Sequence, residues 1–109
     1  MKTQRYTCGL DAAIDVAGGK WKALILFWLG DEPLRFGQLR RAVDGISERI
    51  LTLHLRELEA KGLVHREVHD QVPPKVVYSL TEFGRSLLAA LVPLGEWGED
   101  NMERLEALP

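Results

Sequence analysis

The sequence contains a single cysteine and no apolar run that approaches the roughly 20 residues needed to cross a bilayer. One cysteine excludes an internal disulfide framework and a four-cysteine zinc site. The opening residues, MKTQRYTCGLDAAID, contain no apolar signal core, so we expect a cytoplasmic protein that does not bind a membrane. A length of 109 residues predicts one domain, residues 1–109, with a modest core.

Motifs for catalysis are also missing. There is no nucleophile–base motif, metal-binding motif or phosphate loop, and Gly18-Gly19-Lys20 lacks the spacing of a P-loop. Three histidines, His54, His65 and His69, do not suggest a metal site. His65 and His69 would share a strand face but stand about 13 Å apart, too far to bind one ion. We therefore expect no enzymatic activity, no metal and no cofactor.

The net charge is only −2, but the charge is unevenly distributed. Residues 20–80 carry ten basic and eight acidic side chains, whereas residues 81–109 carry two basic and six acidic ones. A protein with this distribution can present a basic face while remaining acidic elsewhere. The charge is compatible with nucleic-acid binding but does not by itself establish it.

Apolar periodicity predicts helices over residues 8–16 and 36–43. The segment 20–29, KWKALILFWL, is too apolar for a surface helix and predicts a central core helix. A strand is the alternative for this segment, because short apolar runs rich in Ile, Phe and Trp also favour sheets. Asp44-Gly45-Ile46 forms a turn between two helices, which is typical of a helix-turn-helix.

The segment SERILTLHLRELEAKG, residues 47–62, has clear helix boundaries. Ser47 is a favourable N-cap, and Gly62 with the following leucine suits a Schellman ending. Leu51, Leu55, Leu58 and Gly62 fall on one inward stripe. The opposite side of the helix carries Arg49, Thr52 and Arg56.

Two strands, residues 64–69 and 75–80, follow with a stiff Pro73-Pro74 tip, and Leu34-Arg35 suggests a short third strand. An exposed basic helix beside a hairpin is the geometry of a winged helix-turn-helix. The fold class is therefore mainly α with a small β-hairpin. Thr81 can cap a last helix, which Pro93 should kink or divide. That helix is too apolar for one small core, which predicts pairing with a second chain.

These residues together resemble a known family. Cys8, GGKWKALILFWL (18–29), LRFGQLRRAVDGISERILTLHLRELEAKGLVHR (34–66), PPKVVYSLTEFGRSL (73–87) and Trp97-Gly98 are similar, in order and spacing, to the HxlR-type winged-helix transcriptional regulators of bacteria. The resemblance implies a homodimer, joined by its first and last helices, that binds an inverted-repeat DNA operator. It also implies that an N-terminal cysteine senses oxidants or electrophiles in some members of the family but not in others.

The winged-helix geometry predicts which side chains meet double-stranded DNA. The residues expected at base edges in the major groove are Ser47, Arg49, Thr52, Leu53 and Arg56. The residues expected at phosphates are Lys20, Lys22, Arg35, Arg66 and Lys75. Lys75 could reach the minor groove instead. Alternatives remain for some of them. Arg49 and Arg56 could form solvated ion pairs with Glu48 or Glu59, Leu53 could pack beneath neighbouring elements, and Arg40 and Arg41 could contact phosphates or be plain surface charges.

Cys8 lies at the start of the first helix, where the helix N-terminus stabilises a thiolate and Arg5 could contribute. It is the candidate redox sensor, with a small buried residue or an inert thiol as the alternative. Trp21, Trp28 and Trp97 are interpreted as core or interface anchors rather than a ligand cage. The residues predicted at the dimer interface are Leu10, Ile14, Leu91, Leu94 and Trp97.

The sequence thus predicts a sequence-specific DNA-binding transcriptional regulator. It is expected to be a homodimeric repressor, with an activator as an alternative that the sequence does not distinguish. Its partners are an operator duplex, a second copy of itself and an oxidant or small-molecule effector. The core is expected over about residues 18–80, with dimerisation elements over about 8–17 and 81–107. The alternative from another class is a winged-helix module that binds proteins and has no DNA target.

Overall fold

The computed structural model describes residues 5–109, so the first four residues of the predicted domain lie outside the described range. Helices and short antiparallel strands alternate in the first two thirds, and helices complete the chain. The elements are α1 Gly9–Ala17, α2 Lys20–Leu29, β1 Leu34–Arg35, α3 Phe36–Ala42, α4 Glu48–Ala60, β2 Val64–His69, β3 Lys75–Leu80, α5 Glu82–Asp100 and α6 Met102–Glu106. This architecture confirms the predicted winged helix-turn-helix.

Helix α2 forms through the middle of the core, and the alternative of a strand is wrong. Ile25, Leu26 and Leu29 on its inner face are buried. Its other face is open, because Phe27 and Trp28 are exposed and pack edge to face with ring centroids 5.3 Å apart. The helix is therefore central on one side only, and its outer side is available to other molecules.

Helix α4 has the predicted boundaries. The Ser47 hydroxyl accepts a hydrogen bond from the Ile50 N–H at 3.1 Å. At the other end, the Leu63 N–H donates to the Leu58 carbonyl at 2.9 Å, and Gly62 has a φ of +77°. These features form a Schellman motif, which needs a left-handed residue that glycine adopts at little cost.

The inward stripe of α4 is confirmed for its leucines. Leu51, Leu55 and Leu58 are buried and pack against α2 and the sheet. Gly62, which the stripe was expected to include, is exposed because it already lies beyond the last helical residue.

The sheet has the strand order β1-β3-β2, with every pairing antiparallel. In the hairpin, Val64 pairs with Leu80 and His69 pairs with Lys75, which leaves residues 70–74 as the tip of the wing. β1 confirms the predicted short strand and places Arg35 opposite Val77. The register therefore brings the entrance of the helix-turn-helix next to the wing.

Pro93 was expected to kink or divide the last helix, and the division is wrong. The helix continues to Asp100, and the break comes at Asn101. A proline inside a helix removes one hydrogen bond, here the one to the Ala89 carbonyl. Ala89 and Pro93 are both exposed, so water can satisfy that carbonyl and the helix can continue.

The two ends of the described chain carry most of the exposed apolar surface. Helix α1 contains no buried residue, and the second half of α5 packs little of its apolar side against the core. Along residues 5–109, no helix is both long and apolar enough to span a membrane.

Candidate nucleic-acid interface

The outer face of α4 carries the side chains that were predicted to meet base edges. Ser47, Arg49 and Arg56 are exposed, and Thr52 is half-buried with its hydroxyl donating to the Glu48 carbonyl at 2.9 Å. Leu53 is 49% exposed, so the alternative that it packs beneath neighbouring elements is wrong. The face combines two guanidinium groups with a hydroxyl and an apolar side chain, a set that can read base edges and thymine methyl groups.

The guanidinium groups of α4 are not neutralised within the part of the chain that the structure describes. Neither Arg49 nor Arg56 has a carboxylate oxygen within 4.0 Å, the limit for a salt bridge. Glu48, one of the expected alternative partners, lies 4.0 Å from Arg40 instead. Both arginines therefore keep their donors for an anionic or acceptor-rich surface.

A shallow groove joins α4 to the wing. Thr52 and Arg56 line one side, and Arg66 and Tyr78, which face each other across β2 and β3, line the other. Glu59 is the acidic member of this groove. The structure therefore brings two predicted base-edge residues next to a predicted phosphate residue on the wing.

A second polar concavity lies where β1 meets β3. It brings together Arg35 and Lys75, with Gln38 beside them. The Gln38 side chain accepts a hydrogen bond from the Arg35 backbone N–H at 2.9 Å, which fixes the start of α3. Two cations from distant parts of the sequence thus share one polar surface, an arrangement suited to a phosphate. Sequence reasoning named both cations but missed Gln38, because no sequence signal pairs it with Lys75.

The two lysines at the start of α2 have different environments. Lys20 is exposed, with its ammonium 4.8 Å from the centre of the Trp21 ring. Lys22 is only 13% exposed, and its Nζ lies 2.8 Å from the Glu57 carboxylate on α4. The prediction that Lys22 contacts phosphate is therefore corrected, because this ammonium is already paired and nearly enclosed.

Cys8 is exposed and is the N-cap of α1, so the alternative of a buried thiol is wrong. The backbone N–H groups of Asp11 and Leu10 hold the pKa of the Cys8 thiol below its ordinary value, and the Thr7 hydroxyl contributes. The suggested help from Arg5 is not seen. That guanidinium pairs with Asp15 at 3.9 Å and lies over the Tyr6 ring.

The residues predicted at a dimer interface are mostly exposed in the single chain. Leu10 and Ile14 on α1 and Leu94 and Trp97 on α5 are all more than half exposed. Leu91 differs, because it is half-buried against the core at the groove between α2 and α5. Of the other tryptophans, Trp21 packs against the core and Trp28 lies on the open side of α2.

In residues 5–109 there is no group of three or more His, Cys, Asp or Glu side chains placed to hold a metal ion. The candidate features of the described chain are cations and polar groups around α4 and the wing, an exposed thiol on α1, and exposed apolar side chains on α1 and α5.

Comparison with known proteins agrees with this geometry. A family model described as HxlR-like helix-turn-helix matches residues 16–106. The uncharacterized HTH-type transcriptional regulator YybR of Bacillus subtilis (strain 168) is 52% identical over 100 residues, which cover 92% of this chain and 80% of YybR. The redox regulator HypR, solved in its reduced form, is 50% identical with a TM-score of 0.86, covering 93% of this chain and 100% of the HypR chain. HypR in its oxidised form is 53% identical with a TM-score of 0.82, covering 86% and 97% of the two chains. The chain therefore belongs to the HxlR-like helix-turn-helix family of transcriptional regulators.

Proposed function

We propose that this regulator acts in the cytoplasm as a homodimeric repressor that binds an inverted-repeat operator and releases it when Cys8 is oxidised or modified by an electrophile. The observation that carries the DNA-binding part is the outer face of α4, where Arg49 and Arg56 are exposed and without a carboxylate partner among the described residues. The relatives, named as transcriptional regulators, lend no support to the alternative of a protein–protein module. No catalytic step is part of the proposal.

The cations divide into two roles. The first half of α4, with Arg49 and Thr52, enters the major groove and contacts base edges, as recognition helices do. Arg35 and Lys75, which share one polar concavity, hold phosphates on the flank. Arg66, beside Arg56 in the groove under the wing, extends the contact along the duplex.

Dimerisation sets the distance between two such helices. A twofold dimer reads two half-sites about one helical turn apart, roughly 34 Å. The apolar residues that α1 and α5 leave open, such as Leu10 and Trp97, are suited to this contact because burial of apolar surface drives association. A change in the position of either helix then changes the distance between the recognition helices.

Oxidation is the proposed signal because Cys8 is exposed and its pKa is lowered by the backbone N–H groups of Asp11 and Leu10. The chain has one cysteine, so two Cys8 thiols of a dimer lose two protons and two electrons to an oxidant such as diamide, and one S–S bond forms between protomers. Alternatively, one Cys8 thiol and one small thiol lose two protons and two electrons to the same oxidant and form a mixed disulfide. Either product regulates DNA binding only if it favours one arrangement of the dimer over the other.

A gel-shift experiment with the DNA upstream of the protein's own gene tests the proposal. The reduced protein is expected to shift this DNA at concentrations where a scrambled duplex stays free. Diamide is expected to abolish the shift for the native chain but not for Cys8→Ser. Equal affinity for the two duplexes would refute the DNA-binding part, and an unchanged shift after diamide would refute the redox part alone.

A further inference from the structure

A charged cluster joins α2 to the inner side of α4. The Lys22 ammonium lies 2.8 Å from a Glu57 carboxylate oxygen, and the same oxygen lies 3.6 Å from His54 Nδ1. The side chains are 13%, 40% and 20% exposed for Lys22, Glu57 and His54, respectively. Among the described residues, His54 Nδ1 is a buried side-chain nitrogen without a hydrogen-bond partner. The large majority of buried side-chain polar atoms in native proteins have a hydrogen-bond partner, so an unpaired one calls for a physical explanation.

The Lys22–Glu57 ion pair differs in kind from the apolar packing around it. Leu51, Leu55 and Leu58 hold α4 against the core by burying one stripe of the helix, which limits its rotation but supplies no directional bond. A short ammonium–carboxylate hydrogen bond is directional and fixes one geometry. The pKa of Glu57 lies below its ordinary value chiefly because Lys22 donates this hydrogen bond, so the carboxylate is charged at neutral pH.

Resting on the proposed DNA binding, we propose that Lys22 and Glu57 are positioning residues that set the rotation of the recognition helix about its own axis. Glu57 follows Arg56 directly in α4, so a rotation that separates Glu57 from Lys22 also turns Arg56, Thr52 and Arg49. These side chains must point at base edges within narrow limits to discriminate between bases. The pair does not touch DNA and acts through the side chains that do.

The direction in which two single substitutions change DNA affinity tests this proposal. Lys22→Met removes a positive charge and Glu57→Gln removes a negative one, so plain attraction to phosphate would weaken DNA binding in the first variant and strengthen it in the second. If the ion pair positions α4, both substitutions should change the preference for the operator in the same direction. Each substitution is expected to lower the ratio of operator affinity to scrambled-duplex affinity about tenfold. Coupling energies of this size are typical of two residues that contact each other, as Lys22 and Glu57 do. Fluorescence anisotropy at fixed salt measures both affinities.

Conservative and matched variants separate positioning from loss of fold. Lys22→Arg keeps a donor for Glu57 and is expected to retain most of the ratio. Lys61→Met, the same change at an exposed lysine at the end of α4, is expected to leave the ratio unchanged. Circular dichroism melts fix a temperature at which every variant is folded, so that a lower ratio does not report unfolded protein.

A double variant that replaces both charged residues by apolar ones gives the most stringent test. Lys22→Met combined with Glu57→Leu replaces the ion pair by packing, which can restore stability without a directional bond. The ratio is expected to stay low in this variant, and a return to the native ratio would overturn the proposal. Opposite shifts in the two single variants, or an unchanged ratio in both, would also overturn it. A native protein with no operator preference at all would instead refute the proposed DNA binding.

Discussion

At the scale of single residues, the role of a cation depends on which carboxylates the fold brings near it. Lys22 and Arg49 are both basic residues at helix positions that sequence reasoning assigned to DNA. The fold places Glu57 against Lys22 but leaves Arg49 without a carboxylate within salt-bridge distance among the described residues. An exposed cation near a polyanion gains far more from phosphate than from an exposed carboxylate, whose ion pair contributes roughly 0–1 kcal/mol.

Base readout and phosphate contact should separate in two substitutions. Arg49→Ala is expected to lower operator affinity by about 1–3 kcal/mol, which is the value of one good base contact, and to relax the base preference at one position of each half-site. Lys75→Ala, at the wing concavity, should weaken binding to all sequences alike and reduce the slope of log K against log salt by about one unit. Salt titrations with operator and scrambled duplexes measure both effects. Identical salt slopes and identical specificity in the two variants would contradict this division.

The thiol of Cys8 should react at lower pH than an ordinary thiol. The backbone N–H groups of Asp11 and Leu10 stabilise the thiolate, so the proton leaves at a lower pH in the folded chain and the pKa falls. The rate of alkylation by iodoacetamide, followed from pH 5 to pH 10, should rise through a midpoint below that of the same chain unfolded in urea. A folded midpoint at or above the unfolded one would contradict the stabilisation.

At the scale of elements, the two ends of α4 show how far local sequence determines structure. Ser47 and Gly62 were predicted as cap and C′ residue, and both act as such because capping depends on a few neighbouring residues. The hairpin and β1 were likewise predictable from alternation and turn residues. Local patterns therefore predict the framework that carries the side chains proposed to contact DNA.

Contacts between distant elements were not predictable in this way. Lys22 meets Glu57 because the packing of α2 against α4 decides which charges become neighbours. Arg5, in the segment before α1, lies beside Asp15 of that helix rather than beside Cys8. For a related reason, the division of the last helix expected at Pro93 does not occur. The effect of this proline depends on whether the freed Ala89 carbonyl is exposed to water, and neighbouring residues in the sequence do not reveal that.

The C′ glycine gives a test at this scale. Gly62 has a φ of +77° and no atom within 4 Å of the position of an added Cβ, so strain alone opposes a substitution there. Gly62→Ala is expected to lower the free energy of unfolding by about 1 kcal/mol, or roughly 5 °C in Tm. Gly37→Ala, the same change inside α3, should leave stability equal or raise it by up to about 1 kcal/mol. Calorimetry that shows equal shifts for both variants would contradict the assigned ending of α4.

At the scale of the whole molecule, the exposed apolar helices require a partner. Leu94 and Trp97 are 64% and 56% exposed on α5, while α1 has no buried residue at all in the described chain. Apolar surface of this extent on consecutive turns marks an interaction site in soluble proteins. The proposed second copy of the chain would cover this surface and would also provide the second recognition helix that an inverted repeat needs.

Charge placed in this surface should separate the protomers. Trp97→Glu is expected to raise the dimer dissociation constant at least about thirtyfold, the effect of losing an anchoring aromatic contact. Operator affinity should fall with it, because a monomer holds only one half-site. Val72→Glu, at the fully exposed wing tip, introduces the same carboxylate and should leave the dimer intact. Sedimentation velocity measures the oligomeric state of both variants. A Trp97→Glu protein that remains dimeric would place the interface elsewhere.

The central claim is that two copies of α4, fixed by symmetry, read the two halves of one DNA site. Selection from a pool of random duplexes by the reduced protein tests it most directly. Selection is expected to enrich an inverted repeat with half-site centres about 10 base pairs apart. Selection by Arg49→Ala protein is expected to lose one conserved position in each half-site. Enrichment of no sequence, or of a single site without twofold symmetry, would contradict it.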